Sequence, residues 1–307
     1  MIGTQLYKGQ GFGNQLWVYA VTRSIALNHD YSFGIGGAEF FKGNKFLKLD
    51  FGQPFSMNLS QGPHQRVPNG FTSYYAEKKV VHPAYSCDIS PFDKALFEID
   101  DGTFIDGNMQ SEEYLIMNKT LILDWFKTEG QYFDGCTIHF RGTEYRGLKD
   151  VLVPIDYYRN AIRYLRDRYG EIDFRVVTDD YSLAKVYFPN FSIVGRNRLS
   201  NSIEQIWKPL KNRVAVGPNQ MGIRRDFSYL QHSKYLIIPN SSFSWWAAWT
   251  NIAVDEVVAP KYWARHNVST GFWSTGDILT RDWTWLDREN RFFSYDQCLL
   301  EKIRNGY

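Results

Sequence analysis

The chain has 307 residues, of which 44% are hydrophobic and 22% are charged, and this is the composition of a folded protein rather than a disordered one. Its length suits two domains of ordinary size. A formal charge of +2, from 35 basic and 33 acidic residues, argues against a broad nucleic-acid or membrane-surface binder. Any site for an anion must therefore be local.

A glycine-rich loop, KGQGFGNQL, follows a predicted strand at residues 2–7 and precedes a predicted helix at about residues 14–28. Its glycines recur at every second position, which is not the spacing of a dinucleotide-binding fingerprint. Gly11 and Gly13 would instead allow close approach of the backbone to a bulky ligand, with Asn14 as a side-chain donor at the helix start.

The region from about residue 30 to residue 111 is broken by Gly, Pro, Asn and Ser, so few elements are predicted there. Near its end, FIDGNMQSEEYL reads as a strand end followed by a helix start. Gln110 and Ser111 lie at that junction and are expected to line a cleft.

The second half alternates short apolar runs with helical stretches. CTIHFR, DFRVVTDD and KYLIIPNS are three such runs, and each closes on polar residues. This alternation predicts parallel strands joined by crossover helices, with a domain boundary near residues 127–134. Both halves are therefore assigned to the α/β class.

The residues that end these runs are candidates for ligand binding, because ligands lie at the carboxyl ends of parallel strands. Arg141 ends the first run, and a guanidinium binds phosphate through charge-assisted hydrogen bonds, although a surface arginine would give the same pattern. Asp179 and Asp180 end the second run. A carboxylate there accepts either from a base or ribose or from the free N–H groups of the following helix.

The third run ends in a Pro-Asn turn followed by hydroxyl groups. Ser241 and Ser242 begin a predicted helix, and such a terminus attracts phosphate. Trp245, Trp246 and Trp249 follow on that helix and are assigned to packing.

Several motifs and signals are missing from the sequence. There is no Asp-x-Asp metal motif, G-x-S-x-G elbow, H-E-x-x-H motif or P-loop, and the three cysteines have no metal-ligand spacing. Cationic side chains and helix termini would have to neutralise a diphosphate, so no metal and no cofactor are expected. No apolar run would cross a bilayer and no signal pattern is present, so we expect a cytoplasmic protein without a transmembrane segment.

Taken together and in order, these segments resemble glycosyltransferase family 11, the alpha-1,2-fucosyltransferases. GFGNQLWVYA is similar to the amino-terminal segment of that family, DGNMQSEEYL to its glutamine-serine stretch, and VTDDYSLAK to its S-D-D element. NSSFSWWAAW, the most specific part, is similar to its tryptophan-rich block. The likeness spans roughly residues 1 to 285.

The resemblance implies an α/β GT-B fold, in which two Rossmann-like domains face each other across a cleft. Residues 1–130 would form an amino-terminal, acceptor-side domain and residues 131–307 a nucleotide-sugar-binding domain, with a terminal segment expected to pack back on the first. The implied activity is inverting, metal-independent transfer of L-fucose from GDP-fucose to a hydroxyl of an oligosaccharide or lipid-linked glycan, in alpha-1,2 linkage. A bacterial or viral source is expected, and the oligomeric state is left open.

The same resemblance assigns roles to individual residues. The catalytic set is Arg141, Asn14 and Glu144, and Gln110 and Ser111 would line the cleft. The residues expected to bind GDP-fucose are Gly11, Gly13, Asn14, His139, Arg141, Asp179, Ser241, Ser242 and Phe243.

One motif departs from the family. The family pattern is H-x-R-R-G-D-Y, whereas residues 139–145 read HFRGTEY. Gly142 removes one cation, for which Arg146 or Lys149 would have to compensate. Glu144 replaces an aspartate and is the candidate general base, with a salt bridge to Arg146 or Lys149 as the alternative. Other readings are a GT-B transferase with another donor, an O-fucosyltransferase-like acceptor, and a non-catalytic glycan- or nucleotide-binding protein.

Overall fold

The computed structural model describes residues 1–55, 67–81, 88–195, 218–268 and 277–305. The chain divides into two compact units. The first comprises Met1–Lys127 and Trp273–Leu279, and the second comprises Thr128–Phe272 and Thr280–Tyr307. The second half of the sequence thus contributes a short segment to the first unit, and the end of the chain belongs to the second.

The first unit contains a four-stranded sheet in which every pairing is parallel. The strand order is β2-β1-β6-β3, so the direction of the order reverses between β1 and β6. The elements are β1 (Ile2–Gln5), β2 (Phe33–Gly36), β3 (Ser73–Ala76), a ribbon of β4 (Val80–Val81) and β5 (Asp88–Ile89), β6 (Thr103–Asp106), α1 (Phe12–Asn28), α2 (Lys119–Trp125), and 3₁₀ helices at Ala38–Phe40, Lys94–Glu98, Glu112–Tyr114 and Ile116–Asn118.

Helix α1 is largely apolar and is buried over most of its surface. Trp17 and Tyr19 have no exposed surface, as expected of a helix that is hydrophobic on all sides. The helix begins at Phe12, two residues before the predicted start, because Gly11 takes an extended conformation as the N-cap. Phe12 then packs its ring against Phe41 at a centroid distance of 5.9 Å.

The second unit contains a seven-stranded sheet of order β13-β12-β11-β10-β7-β8-β9. Only the β12–β13 pairing is antiparallel. The elements are β7 (Phe133–Phe140), β8 (Phe174–Thr178), β9 (Ser192–Gly195), β10 (Ser233–Ile237), β11 (Glu256–Pro260), β12 (Thr284–Leu286), β13 (Phe292–Phe293), α3 (Ile155–Tyr169), α4 (Tyr181–Tyr187), α5 (Pro218–Gln231), α6 (Ser242–Trp249), α7 (Tyr295–Arg304), and a 3₁₀ helix at Trp263–Val268.

The six parallel strands of this sheet have the Rossmann order. Numbered in chain order from β7, they run 3-2-1-4-5-6 across the sheet, as in dinucleotide-binding folds. The α/β class predicted from the sequence is confirmed, and the two Rossmann-like units are the components of the predicted GT-B class.

The tryptophan-rich helix α6 packs into the core of the second unit. Trp245 and Trp246 have no exposed surface, and Trp249 is 5% exposed. The rings of Trp245 and Trp249 stack at 5.7 Å, and the indole N–H of Trp245 donates to the Thr280 hydroxyl at 2.8 Å. The assignment of these rings to packing is confirmed.

Helix α3 lies against the sheet through two adjacent tyrosines that are both fully buried. The Tyr157 hydroxyl donates to the carbonyl oxygens of Ile238 at 2.7 Å and Val258 at 3.0 Å. Ile238 follows β10, and Val258 is the middle residue of β11. The Tyr158 hydroxyl has no hydrogen-bond partner among the described residues. A buried hydroxyl stabilises a fold only when it is hydrogen-bonded.

These two tyrosines give a matched test of the packing of α3. We expect Tyr157→Phe to lower the free energy of unfolding by about 1–3 kcal/mol, because a buried carbonyl loses its donor. Tyr158→Phe removes a hydroxyl without a partner and should leave the stability unchanged or raise it. Urea unfolding of both variants measures this, and equal losses in the two would contradict the described hydrogen bonding.

Candidate functional site

The strand order of the second unit reverses between β7 and β10, and ligands of open α/β sheets bind outside the strand ends at such a switch point. The register pairs Ile138 of β7 with Ile237 of β10. Arg141 and Asn240 each lie three residues beyond these paired positions. The predicted anion-binding residues of two strands therefore come together at this edge of the sheet.

Arg141 is held at this edge by two carboxylates. Its guanidinium lies 2.5 Å from the Asp179 carboxylate and 2.7 Å from that of Glu144. Asp179 also accepts from the backbone N–H of Gly142 at 2.8 Å, so it ties the end of β8 to the loop after β7. The Tyr145 ring lies beneath the guanidinium, with its centroid 5.7 Å away. Arg141 is thus a positioned cation and not a freely solvated one.

The two consecutive aspartates divide the roles that the sequence left open. Asp180 caps α4 by accepting from the N–H of Leu183 at 3.1 Å. It also binds Arg146, whose Nη2 lies 2.8 and 2.6 Å from its two carboxylate oxygens. Asp179 is left to pair with Arg141, as a carboxylate at the ligand-facing strand end.

Glu144 pairs with a different cation from the one expected. The alternative to a role as base was a salt bridge to Arg146 or Lys149, whereas the structure pairs it with Arg141. Arg146 pairs with Asp180 instead, and Lys149 forms no ion pair among the described residues. The Glu144 side chain is 73% exposed, so the carboxylate is accessible at the rim of the site.

His139 lies near the end of β7, two residues before Arg141, and it is buried, with an exposed fraction of 4%. Its ring contacts that of Phe243 at 5.5 Å, and within the described part of the chain its Nδ1 has no hydrogen-bond partner. Burial, and secondarily the nearby charge of Arg141, lower the pKa of His139 to about 3. The imidazole is therefore neutral near pH 7.

The turn between β10 and α6 presents a helix start without a side-chain cap. Ser241 is the N-cap residue, yet its hydroxyl makes no capping hydrogen bond, and Ser242 begins the helix. The turn is fixed from behind, because Tyr145 donates to the Asn240 carbonyl at 3.2 Å and the Asn240 amide donates to the Val151 carbonyl at 2.9 Å. The first N–H groups of α6 are thus not satisfied by the cap side chain.

The first unit has its own switch point, between β1 and β6, and two predicted site residues meet there. The Gln110 amide donates to the Asn14 side-chain oxygen at 3.0 Å. Beside them, the Gln10 amide donates to the Asn108 side chain at 3.4 Å. Amide groups from the loop after β1 and from the segment after β6 therefore form one polar edge.

The other residues predicted in the first unit take different positions. A side chain built on Gly11 would meet no atom within 4 Å, so the space in front of this residue is open. Gly13 is buried in the first turn of α1. Ser111 is 2% exposed, and its hydroxyl accepts from the N–H of Glu113 at 3.4 Å as the cap of a 3₁₀ helix. Gln110 is half-buried.

Asp106, at the end of β6, is a carboxylate that the sequence reasoning did not single out. It accepts a hydrogen bond from the Tyr74 hydroxyl. Burial, followed by the Asp106 charge, raises the pKa of the neighbouring Tyr7, whose side chain is 46% exposed. The signal was available, because Asp106 closes the apolar run FID in the same way that Asp179 closes its own.

Two further surveys concern metals and membranes. Within the described ranges, no group of three or more His, Cys, Asp or Glu side chains is arranged to hold a metal ion. In the same ranges, every helix falls short of the length and apolarity needed to cross a bilayer. Cys136 and Cys298 are buried free thiols.

The chain is similar to two proteins of Escherichia coli. It is 26% identical over 291 residues to an alpha-1,2-colitosyltransferase, and the match covers 85% of this chain and 92% of that protein. It is 32% identical over 120 residues to the O-antigen biosynthesis glycosyltransferase WbnK, a match that covers 38% of this chain and 33% of WbnK. The chain thus matches about a third of the length of WbnK and nearly all of the colitosyltransferase.

Two other comparisons complete these findings. No protein-family model matches the sequence. Among solved structures, the fucosyltransferase NodZ from Bradyrhizobium aligns with a TM-score of 0.43 and 13% identity, over 83% of this chain and 94% of that one. The chain is a glycosyltransferase, as its two relatives are named, and this agrees with the resemblance of its motifs to family 11.

Proposed function

We propose that this glycosyltransferase moves L-fucose from GDP-fucose to a hydroxyl of an oligosaccharide or lipid-linked glycan, with inversion and without a metal ion. The resemblance of its motifs to family 11 supports the donor, and an alpha-1,2 linkage is proposed on the same basis. The observation that carries the proposal is the position of Arg141, ion-paired to Asp179 at 2.5 Å, at the switch point of a Rossmann sheet.

In the proposed reaction the acceptor oxygen forms a bond to the anomeric carbon while the bond from that carbon to the β-phosphate oxygen breaks. The electron pair leaves with GDP, so negative charge grows on the diphosphate. Arg141 and the positive end of the helix dipole at the start of α6 would stabilise that charge. Ser241 would add its hydroxyl.

Glu144 is the proposed general base for the acceptor proton. It lies 2.7 Å from the Arg141 guanidinium, and its side chain is largely exposed. When Arg141 binds the diphosphate, it exchanges one anionic partner for another, and Glu144 is the more accessible of its two carboxylates. Binding of the donor diphosphate to Arg141 would therefore release Glu144 to act as the base.

Neutral groups would surround the nucleoside. His139 and Phe243 pack together behind Arg141, and the low pKa of His139 keeps its imidazole uncharged near pH 7. A neutral imidazole both donates and accepts hydrogen bonds, so it suits a base or ribose better than a phosphate. The carboxylate of Asp179 would likewise accept hydrogen bonds from the base or the ribose.

The polar edge of the first unit is the proposed acceptor side. Asn14 and Gln110 supply amide groups, and the loop before α1 presents backbone at Gly11, where the space is open. Asp106, together with the exposed ring of Tyr7, adds a carboxylate and an aromatic face. Carboxylates and amides hydrogen-bond sugar hydroxyls, and aromatic rings cover the apolar faces of sugars.

Transfer of a colitosyl group is a second candidate function. It is favoured by the relative named alpha-1,2-colitosyltransferase, which this chain matches over 92% of its length. Thermal shifts with GDP, UDP and other nucleotides would define the nucleotide, since a bound ligand stabilises the folded state. Turnover of fucosyl and colitosyl donors would then identify the sugar, and nucleotide or glycan binding without turnover would indicate a non-catalytic protein.

Arg141→Ala tests whether Arg141 stabilises the departing diphosphate. Loss of one positioned donor to a developing charge typically costs about 100- to 1000-fold in rate, so we expect GDP release from GDP-fucose to fall by that amount. The control is Arg168→Ala, because Arg168 pairs with Glu256 at the start of β11, on the opposite edge of the sheet. Retention of most of the rate in Arg141→Ala would remove Arg141 from the mechanism.

Glu144→Gln tests the base and keeps a group that can accept a hydrogen bond from Arg141. Loss of a general base lowers kcat by about 100- to 10,000-fold, while the affinity for GDP should change little. If Glu144 serves only as an exposed partner of Arg141, kcat will stay close to that of the wild type, since exposed ion pairs contribute little. Single-turnover kinetics and GDP calorimetry together distinguish these outcomes.

A further inference from the structure

We propose that Arg146 is a second cation of the anion site and binds the diphosphate together with Arg141. The inference rests on the proposed function and decides between Arg146 and Lys149, the two residues that could compensate for the cation missing at Gly142. The two arginines belong to one loop, and two consecutive aspartates hold them: Asp179 pairs with Arg141, and Asp180 pairs with Arg146.

The backbone of the loop brings Arg146 back toward the strand end. The N–H of Arg146 donates to the Gly142 carbonyl at 2.7 Å, which closes a turn immediately after β7. Asp180 is a firm support for the side chain, since it is largely buried and also caps α4. Arg146 is therefore directed to the same edge of the sheet as Arg141.

Gly142 is the residue that makes this arrangement sterically possible. A Cβ at this position would lie 2.5 Å from the Cβ of Asp180 and 3.0 Å from the ring of Phe140. Neither neighbour can move far, because one begins a helix and the other ends a central strand. The absence of a side chain at residue 142 thus lets Asp180 lie against the turn and engage Arg146.

The contacts leave Arg146 able to bind a ligand. Its guanidinium carries five N–H donors, and within the described residues its side-chain contacts with Asp180 use Nη2 alone. The side chain is 54% exposed. Remaining donors can therefore face a solvent-borne anion without breaking the pair.

The charge balance also calls for this second cation. Asp179, Asp180 and Glu144 carry three negative charges at the strand ends, against which Arg141 supplies one positive charge. A diphosphate would be repelled by such a surface. Asp180 must stay in place because it caps α4, and Arg146 offsets its negative charge. If the exposed Glu144 also turned away, the two arginines would balance the two aspartates. The helix dipole at the start of α6 would then add positive potential.

Calorimetry with GDP and GMP tests the inference. We expect Arg146→Ala to weaken GDP binding by about 10- to 100-fold, the usual effect of losing charge-assisted hydrogen bonds, and to weaken GMP binding less. Arg168→Ala is a close control, because Arg168 is 58% exposed and pairs with a buried carboxylate, as Arg146 does. It should leave both affinities unchanged.

A double variant separates direct contact from simple charge cancellation. In Arg146→Ala/Asp180→Asn the carboxylate charge left unpaired by the first substitution is gone, and asparagine still caps α4. If Arg146 binds the diphosphate, GDP affinity stays low in the double variant. Recovery of wild-type affinity there, or wild-type affinity in Arg146→Ala itself, would overturn the inference.

The outcome for the wild-type protein keeps this inference distinct from the proposed function. If the wild type does not bind GDP, the proposed donor is wrong, and the same variants are measured with whichever of ADP, CDP or UDP binds. If one diphosphate binds and Arg146→Ala is unaffected, only the second cation is wrong. If no nucleoside diphosphate binds, both proposals fall.

Discussion

The parallel pairing of β7 with β10 determines where the functional candidates of the second unit lie. It joins the first and fourth strands of the Rossmann order, and its register matches Ile138 with Ile237, both fully buried. A slip of one residue would turn these side chains away from their core, so packing fixes the register strongly. These buried apolar residues thus fix Arg141 and Asn240 as neighbours at the strand ends.

Much of the fold and part of the site follow from local sequence patterns. Short apolar runs that close on polar residues predicted the strands ending near Arg141, Asp179 and Asn240, because parallel strands buried on both faces need apolar side chains throughout. The burial of the tryptophans in α6 followed from their position on a predicted helix. Asn14 and Gln110 were predicted separately as site residues, and they meet because they follow β1 and β6, which are neighbours in the sheet.

The remainder depends on contacts that local patterns do not encode. Asp179 pairs with Arg141 because the loop after β8 approaches the loop after β7, a contact between distant parts of the chain. The alternative pairing of Glu144 with Arg146 or Lys149 was wrong, since Glu144 pairs with Arg141, three residues before it. The helix start after Ser111 was predicted, whereas the burial of Ser111 itself was not. Asp106 was not predicted, although it closes a short apolar run at the end of β6.

The carboxylates around Arg141 and Arg146 act as built-in counter-ions. An anion that binds at this edge must compete with the carboxylates that already pair with the two arginines. Monovalent ions such as chloride therefore gain little from binding. A multiply charged, multidentate anion can displace an exposed carboxylate and still gain contacts. If a diphosphate binds here as proposed, the internal ion pairs would form again when it departs. They would lower the free energy of the empty state and so favour release of the product over its retention.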